Sequence, residues 1–283
     1  MITHVLRMTA GEWYKLRRRW LPWILLAVLL LISQAFLWGY FAAFHLSDSP
    51  DDSHLDYFTL PSSIGSGVES LFGSRFAVLI IMVLAASSLG TEYGWGTLRT
   101  ALTKGVGRWQ VLMSKIVLGV VLGGAGLLVM AAVIFISSIV SVALSAEVNT
   151  PLLGPSAGWP DTVATLAKSV YALIPYVVLG TFFVVLTQST AQGITLSVVF
   201  FAVEGLALPP LLALADWLEN VNAALLIQNV DYWLEQGVGQ DLVGGTPPDA
   251  LQACLVILAY TVILSAATLW FFLRRDIGGA RGE

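Results

Sequence analysis

An unbroken apolar stretch, IVLGVVLGGAGLLVMAAVIFISSIVSVALSA at residues 116–146, decides the fold; it follows Lys115 and precedes Glu147. A helix needs about 20 apolar residues to cross a hydrocarbon core of about 30 Å. This stretch is longer than that and carries no charge, so it predicts a membrane-spanning helix that is tilted or extends beyond the bilayer. Because its apolar residues are continuous and do not alternate with polar ones, the stretch is not typical of a β-barrel strand.

The composition of the whole chain agrees with a membrane protein. Hydrophobic residues make up 57% of the 283 residues and charged residues only 11%, against about 45–50% and about 25% in soluble domains. A soluble protein of this length would need a more highly charged surface. We therefore predict an all-α polytopic membrane protein with six transmembrane helices, an N-terminal interfacial amphipathic helix and a short cytoplasmic helix.

The six spans are expected to form one transmembrane domain that covers residues 1–283. Ser169–Val203 has no charge but is too long for one crossing, and the polar sequence Thr187–Gly193 divides it into two spans. Residues 1–20 place apolar side chains on one helical face and basic ones on the other, which is typical of a helix in the headgroup plane. The predicted spans lie at 21–44, 68–90, 113–144, 166–186, 193–213 and 250–273, with a loop at 92–110 and an outer segment at 214–249.

The distribution of Lys and Arg predicts the orientation, because these residues are retained on the cytoplasmic side of a membrane. When both termini are placed in the cytoplasm, every Lys and Arg except Arg75 and Lys168 falls inside, and most acidic residues fall outside. The first apolar run, Leu21–Phe44, is too long for a cleavable signal peptide. We expect a multi-pass protein of the cell (inner) membrane with N- and C-termini in the cytoplasm.

The most informative motif is the loop between the second and third spans, EYGWGTLRTALTKGVGRWQVLMSK at residues 92–115. Gly96 loosens the helix that leaves the membrane, Thr97 can cap a new short helix, and Gly105 can end it. The basic residues of the loop favour lipid headgroups or an acidic protein partner. Alternatively they only fix the topology, although this would not account for the Gly-Thr pair or the spacing of the leucines.

This loop resembles that of the membrane-spanning permease subunits of ABC type-2 transporters, particularly the six-span bacterial exporter permeases. That family tends to show an acidic residue, Gly-Thr, a leucine-rich turn, Pro-x-x-Arg and a Lys that opens the next span. The usual proline is Gly105 here. The likeness covers nearly the whole chain, including the short turn between the fourth and fifth spans. The matching residues are Glu92, Gly96, Thr97, Leu98, Leu102, Arg108 and Lys115.

The resemblance implies a transport subunit that is not itself an enzyme. Its loop helix would be a coupling helix that docks on a separate cytoplasmic ABC ATPase, with two ATPases and a second permease copy, identical or paralogous, in the assembly. The chain has no G-x-x-x-x-G-K-[ST] phosphate loop, so ATP and Mg are expected in the partner ATPase, no cofactor in this chain, and nucleic acid is not expected as a partner. The ATPase-coupling residues implied are Glu92, Gly96, Thr97, Leu98, Arg99, Leu102, Lys104 and Arg108.

Glu204 is the only acidic residue well inside a predicted span. A charge there costs about 2.5–3.5 kcal/mol on insertion scales, so Glu204 either lines the transport path or is protonated and hydrogen-bonded to a neighbouring span. Both alternatives stay open. No hydrolase motif and no regularly spaced set of metal ligands is present. The alternative to an ABC permease is a non-ABC membrane protein, either a secondary carrier or a membrane-embedded enzyme.

Overall fold

The computed structural model describes residues 2–46, 57–103, 105, 107–144, 158–207, 224–234 and 250–275. In these ranges the regular elements are ten α-helices and one π-helical segment, so the all-α prediction is confirmed. The helices are α1 (Ile2–Arg17), α2 (Trp20–Leu46), α3 (Ser62–Gly73), α4 (Phe76–Gly94), α5 (Thr97–Thr103), α6 (Arg108–Leu144), α7 (Trp159–Thr187), α8 (Thr190–Ala202), the π-helix (Val203–Ala207), α9 (Leu226–Trp233) and α10 (Ala250–Arg274).

Five helices are long and apolar enough to cross a membrane: α2, α4, α6, α7 and α10. The apolar stretch from α8 into the π-helix, Thr190–Gly205, is shorter, and residues 208–213, the predicted end of the fifth span, lie outside the described residues. The chain is thus a multi-pass membrane protein with five clear candidate spans. Whether α8 completes a sixth crossing stays a prediction.

The second predicted span, residues 68–90, is interrupted in the structure. α3 ends at Gly73 and α4 begins at Phe76, and between them Arg75 adopts a left-handed conformation with φ of 66°. The backbone N–H of Ser74 donates to Ser70 O at 2.9 Å and that of Arg75 to Phe72 O at 2.8 Å, which closes the end of α3. Gly73 and Ser74 are residues at which helices commonly break, so the interruption has a local cause.

Small residues allow α4 and α7 to pack closely against their neighbours. A Cβ at Gly180 of α7 would lie 2.5 Å from the carbonyl oxygen of Met82 on α4. A Cβ at Gly90 of α4 would lie 2.7 Å from the Cα of Thr190 on α8. Close backbone approach at small residues is how helices associate in lipid, where the hydrophobic effect gives no net driving force between them. α4 therefore lies at the centre of the bundle.

Arginine side chains hold several helix ends together at one end of the bundle, which we call the basic end. Arg108 at the start of α6 donates to the carbonyl oxygens of Phe272 and Leu273, at the end of α10, at 3.1 and 2.9 Å. Arg275 in turn donates to the carbonyl oxygen of Leu186, at the end of α7. Cations at helix C-termini satisfy free carbonyl groups and complement the helix dipole. The basic end thus contains the ends of α7 and α10 and the start of α6.

Candidate functional site

The loop at the basic end contains the short helix that the sequence predicted. α5 runs from Thr97 to Thr103 between α4 and α6. Gly96 before it and Gly105 after it have φ of 66° and 83°, the left-handed region that only glycine adopts without steric cost. The two glycines of the motif therefore set the turns into and out of α5.

α5 has one face on the bundle and one face exposed. Leu98 is 1% exposed, and Leu102, one helical turn later, packs against the hydrophobic core. Arg99 and Thr100 are exposed, on the other face. Of the predicted coupling residues, the leucines therefore attach α5 to the bundle, while Arg99 is presented outward. Lys104 lies outside the described residues.

A cluster of four charged residues lies where the two ends of the 92–115 loop meet α1. We call it the Glu92–Lys115 cluster; it consists of Glu12 and Lys15 of α1, Glu92 of α4 and Lys115 of α6. The Lys115 ammonium donates to Glu92 Oε1 at 2.9 Å, to Glu12 Oε2, and to the carbonyl oxygen of Ser88 at 3.2 Å. Lys15 donates to Glu12 Oε1 at 2.6 Å and to Glu92 Oε1 at 3.2 Å. Two lysines thus neutralise two carboxylates.

The members of this cluster differ in exposure. The side chains of Lys115 and Glu92 are 3% and 6% exposed, whereas that of Lys15 is 51% exposed. Burial alone would raise the pKa of Glu12, but the charges and hydrogen bonds of Lys115 and Lys15 outweigh it and lower that pKa. For Lys15, burial alone would lower the pKa, and the two glutamates raise it. The cluster therefore stabilises the charged forms of both α1 residues.

Glu92 and Arg108 both make contacts within the bundle. Glu92 is buried and bonded to two lysines, and Arg108 caps the end of α10. Both residues hold the loop in place, and Arg99 is left as the exposed cation of α5. Sequence reasoning missed Glu12 and Lys15; the signal available was their position on the basic face of α1, three residues apart and on the same helical surface.

A second polar cluster lies at the opposite end of α4. Arg75, the left-handed residue before α4, forms a two-pronged ion pair with Asp231 of α9, with Nη2 and Oδ2 2.6 Å apart. Glu204 of the π-helix accepts a hydrogen bond from the backbone N–H of Ile227, in the first turn of α9, at 3.2 Å. A carboxylate at a helix N-terminus satisfies a free N–H and complements the dipole. Both contacts thus help to attach α9.

Glu204 and the neighbouring Tyr176 are buried inside the protein in this conformation. Glu204 is 5% exposed and Tyr176 of α7 is fully buried. Within the part of the chain that the structure describes, Glu204 Oε2 and the Tyr176 hydroxyl have no hydrogen-bond partner. Glu204 is thus hydrogen-bonded to a neighbouring element, α9, and its π-helical setting is of a kind common at functional sites. Its place in a transport path stays a prediction.

The described residues include no group of three or more His, Cys, Asp or Glu side chains placed to hold a metal ion. In the two clusters, the described side chains form ion pairs and a hydrogen bond to the start of a helix. The two sites are suited to holding helices together and to presenting α5.

Together the long apolar helices and the polar contacts at both ends of the bundle define an α-helical, multi-pass membrane protein. The family model described as ABC-2 family transporter protein matches residues 10–204, more than half of the chain. This chain belongs to that family, which confirms the resemblance drawn from the loop and makes the protein a transporter permease. The comparison with curated proteins found no match.

Proposed function

We propose that this chain is the permease subunit of an ABC exporter, which forms the transmembrane path and couples through residues 92–115 to a separate cytoplasmic ATPase. The observation that carries the proposal is the way in which α5 is attached to the bundle. Its outer face is exposed at Arg99 and Thr100, and the Glu92–Lys115 cluster joins the helices on both sides of it. Membership of the ABC-2 family argues against a secondary carrier or a membrane-embedded enzyme.

The attachment of α5 is suited to transmitting a movement from an ATPase to the membrane-spanning helices. Glu92 is in the last turn of α4 and Lys115 is in the second turn of α6, so a force applied to α5 reaches both helices through a short, closed loop. Glu12 adds α1 to the same unit. Signals between sites are carried by such contiguous packed and hydrogen-bonded networks. Closure of an ATPase against α5 would then move α1, α4 and α6 together.

The assembly proposed contains two ATPases and two permease copies, identical or paralogous, in the cell membrane. Both termini are placed in the cytoplasm, because most Lys and Arg then lie on that side; the same orientation puts the loop where an ATPase can reach it. The partner ATPase binds ATP and Mg and carries out hydrolysis, so the permease itself is not an enzyme. Among the described residues, Arg108 and Arg275 at the basic end agree with this orientation.

The test is co-purification of the tagged chain from its native membranes, with ATP hydrolysis and mass spectrometry to detect the ATPase. Arg99→Glu reverses the charge on the outer face of α5 and is expected to remove the ATPase from the preparation. The matched control is Arg274→Glu, which reverses another exposed cation of the basic end, on α10. Absence of an ATPase from the wild-type preparation, or its retention by Arg99→Glu, would contradict the proposal.

The proposed part of Glu204 in the transport path needs a separate test. Glu204→Gln keeps an oxygen that can accept the hydrogen bond from Ile227 and removes only the charge. A transport rate and substrate range equal to those of the wild type would show that the carboxylate serves only to hold α9. A changed rate in a protein of unchanged thermal stability would support a function in the path.

A further inference from the structure

An apolar cavity of about 230 Å³ lies between α1, α2, α4 and α6. Its walls include Leu25 and Leu29 of α2, Ile80 of α4 and Leu122 of α6. On each of these three helices the lining residues span about eight positions, which corresponds to a length of about 10 Å at 1.5 Å per residue. The cavity is thus a narrow slot that runs along the spans.

The end of the slot next to α1 has a different chemistry. Trp13, Arg17 and Trp23 line it there and are exposed, and the indole N–H of Trp23 donates to the carbonyl oxygen of Arg17 at 2.9 Å. Among the side chains that the structure describes, none forms an ion pair or a hydrogen bond with the Arg17 guanidinium. Trp residues at the headgroup level with an adjacent Arg are typical of a membrane interface.

We propose that this cavity binds a segment of one acyl chain of an anionic phospholipid, whose phosphate is held by Arg17 at the mouth of the slot. The apolar walls match a hydrocarbon chain and exclude a polar ligand, because buried polar groups without partners are costly. The volume is below the roughly 300–1,000 Å³ of sites for drug-sized ligands, and the narrow shape suits a segment of one chain. A guanidinium offers a phosphate two parallel hydrogen bonds.

A bound lipid of this kind would join α1 to the spans. The chain would lie against α2, α4 and α6, and the headgroup would lie beside Arg17, near the end of α1. This contact would add to that of the Glu92–Lys115 cluster, which joins α1 to α4 and α6 from its other face. The lipid site does not depend on the ATPase proposal, since its evidence is the cavity and its mouth.

The first test fills the slot. Ala125 of α6 lines the cavity and is exposed, and Ala132, two turns further along the same helix, is exposed and does not line it. Purified protein is mixed with dioleoyl-phosphatidylglycerol and the bound lipids are counted by native mass spectrometry. Ala125→Phe is expected to lose one tightly held lipid that the wild type and Ala132→Phe retain. Equal retention by the two variants, or equal loss from both, overturns the proposal.

The second test removes the charge at the mouth. Arg17→Gln is expected to weaken phosphatidylglycerol binding about fivefold, the factor for one basic residue near an anionic headgroup. The control is Arg18→Gln, because Arg18 stacks on Tyr14, 4.6 Å from the ring centroid, and does not line the cavity. An Arg17→Gln protein that binds as the wild type does overturns the assignment. So does a wild type that binds dioleoyl-phosphatidylethanolamine as tightly as phosphatidylglycerol.

Discussion

Replacement of Lys115 by Met tests whether the Glu92–Lys115 cluster holds α1, α4 and α6 together. Lys115 is the most buried member, with a side chain that is 3% exposed, and it contacts both carboxylates. Without it, Glu92 and Glu12 face each other with only Lys15 to neutralise them. Removing one partner of a buried ion pair leaves an uncompensated charge and costs about 3–5 kcal/mol.

The magnitude expected lies at the lower end of that range. Lys15 remains and contacts both carboxylates, so we expect a loss of about 3 kcal/mol, or roughly 6–12 °C in Tm for a chain of this size. Lys15→Met is the matched comparison because it removes the same charge from the same carboxylates. Its side chain is 51% exposed, so solvent screening limits the loss to about 1 kcal/mol.

The assay is thermal unfolding in detergent, followed by tryptophan fluorescence, and a double-mutant cycle completes it. Lys115→Met combined with Glu92→Gln removes the unpaired carboxylate and leaves Glu12 with Lys15. The double variant is therefore expected to recover stability, with an interaction energy of about 2 kcal/mol. Equal shifts for the two lysine variants would refute this reasoning. A double variant whose loss equals the sum of the single losses would refute it as well.

Three further outcomes are expected. Because the pKa of Glu12 is lowered, its contribution to stability is present above pH 4.5 and is lost as the pH falls through the lowered value. The Tm of the wild type should therefore fall more steeply below pH 4.5 than the Tm of Glu12→Gln. Gly90→Ala places a Cβ against the backbone of Thr190 and should cost about 1–3 kcal/mol, while Gly94→Ala, with no atom within 4 Å of the new Cβ, should not lower the Tm. Asp231→Asn leaves Arg75 buried without its carboxylate, whereas Glu204→Gln keeps the hydrogen bond from Ile227. Asp231→Asn should therefore lower the Tm by more than Glu204→Gln, and equal Tm values for the two variants would contradict the stabilising pairing of Arg75 with Asp231.

The sequence predicted the apolar helices and the short loop helix because their signals are local. An uncharged run of sufficient length indicates a span wherever it packs, and Gly96 and Gly105 mark the ends of α5 through their own backbone conformation. The motif also singled out Glu92 and Lys115. Their pairing with α1 could not be predicted, because which helices lie side by side is not encoded within either segment.

The candidate site at the opposite end was predicted in part. Glu204 was recognised as a buried acid, but its hydrogen-bond donor is the backbone N–H of Ile227. Every non-proline residue carries such a group, so no residue type in the sequence could indicate this contact. Arg75 did carry a signal: it is one of two cations that the predicted orientation does not place on the cytoplasmic side, and a partly buried cation needs an anionic partner. Asp231 is that partner, but several acidic residues of the outer segment were equally available.

α4 connects the two charged clusters, because one of them lies at each of its ends. In its most apolar stretch 67% of the residues are buried, against 17% in α2 and in α10, so α4 is enclosed by other helices. Arg75 at its start is paired with α9, and Glu92 near its end is paired with α1 and α6.

A helix held by buried charges at both ends can move in two ways. It moves as a rigid body together with its partners, or it breaks an ion pair whose charges are both desolvated. The second route costs about 3–5 kcal/mol per pair. We therefore expect a push on α5 to be transmitted along α4 to α9 at the opposite end of the bundle.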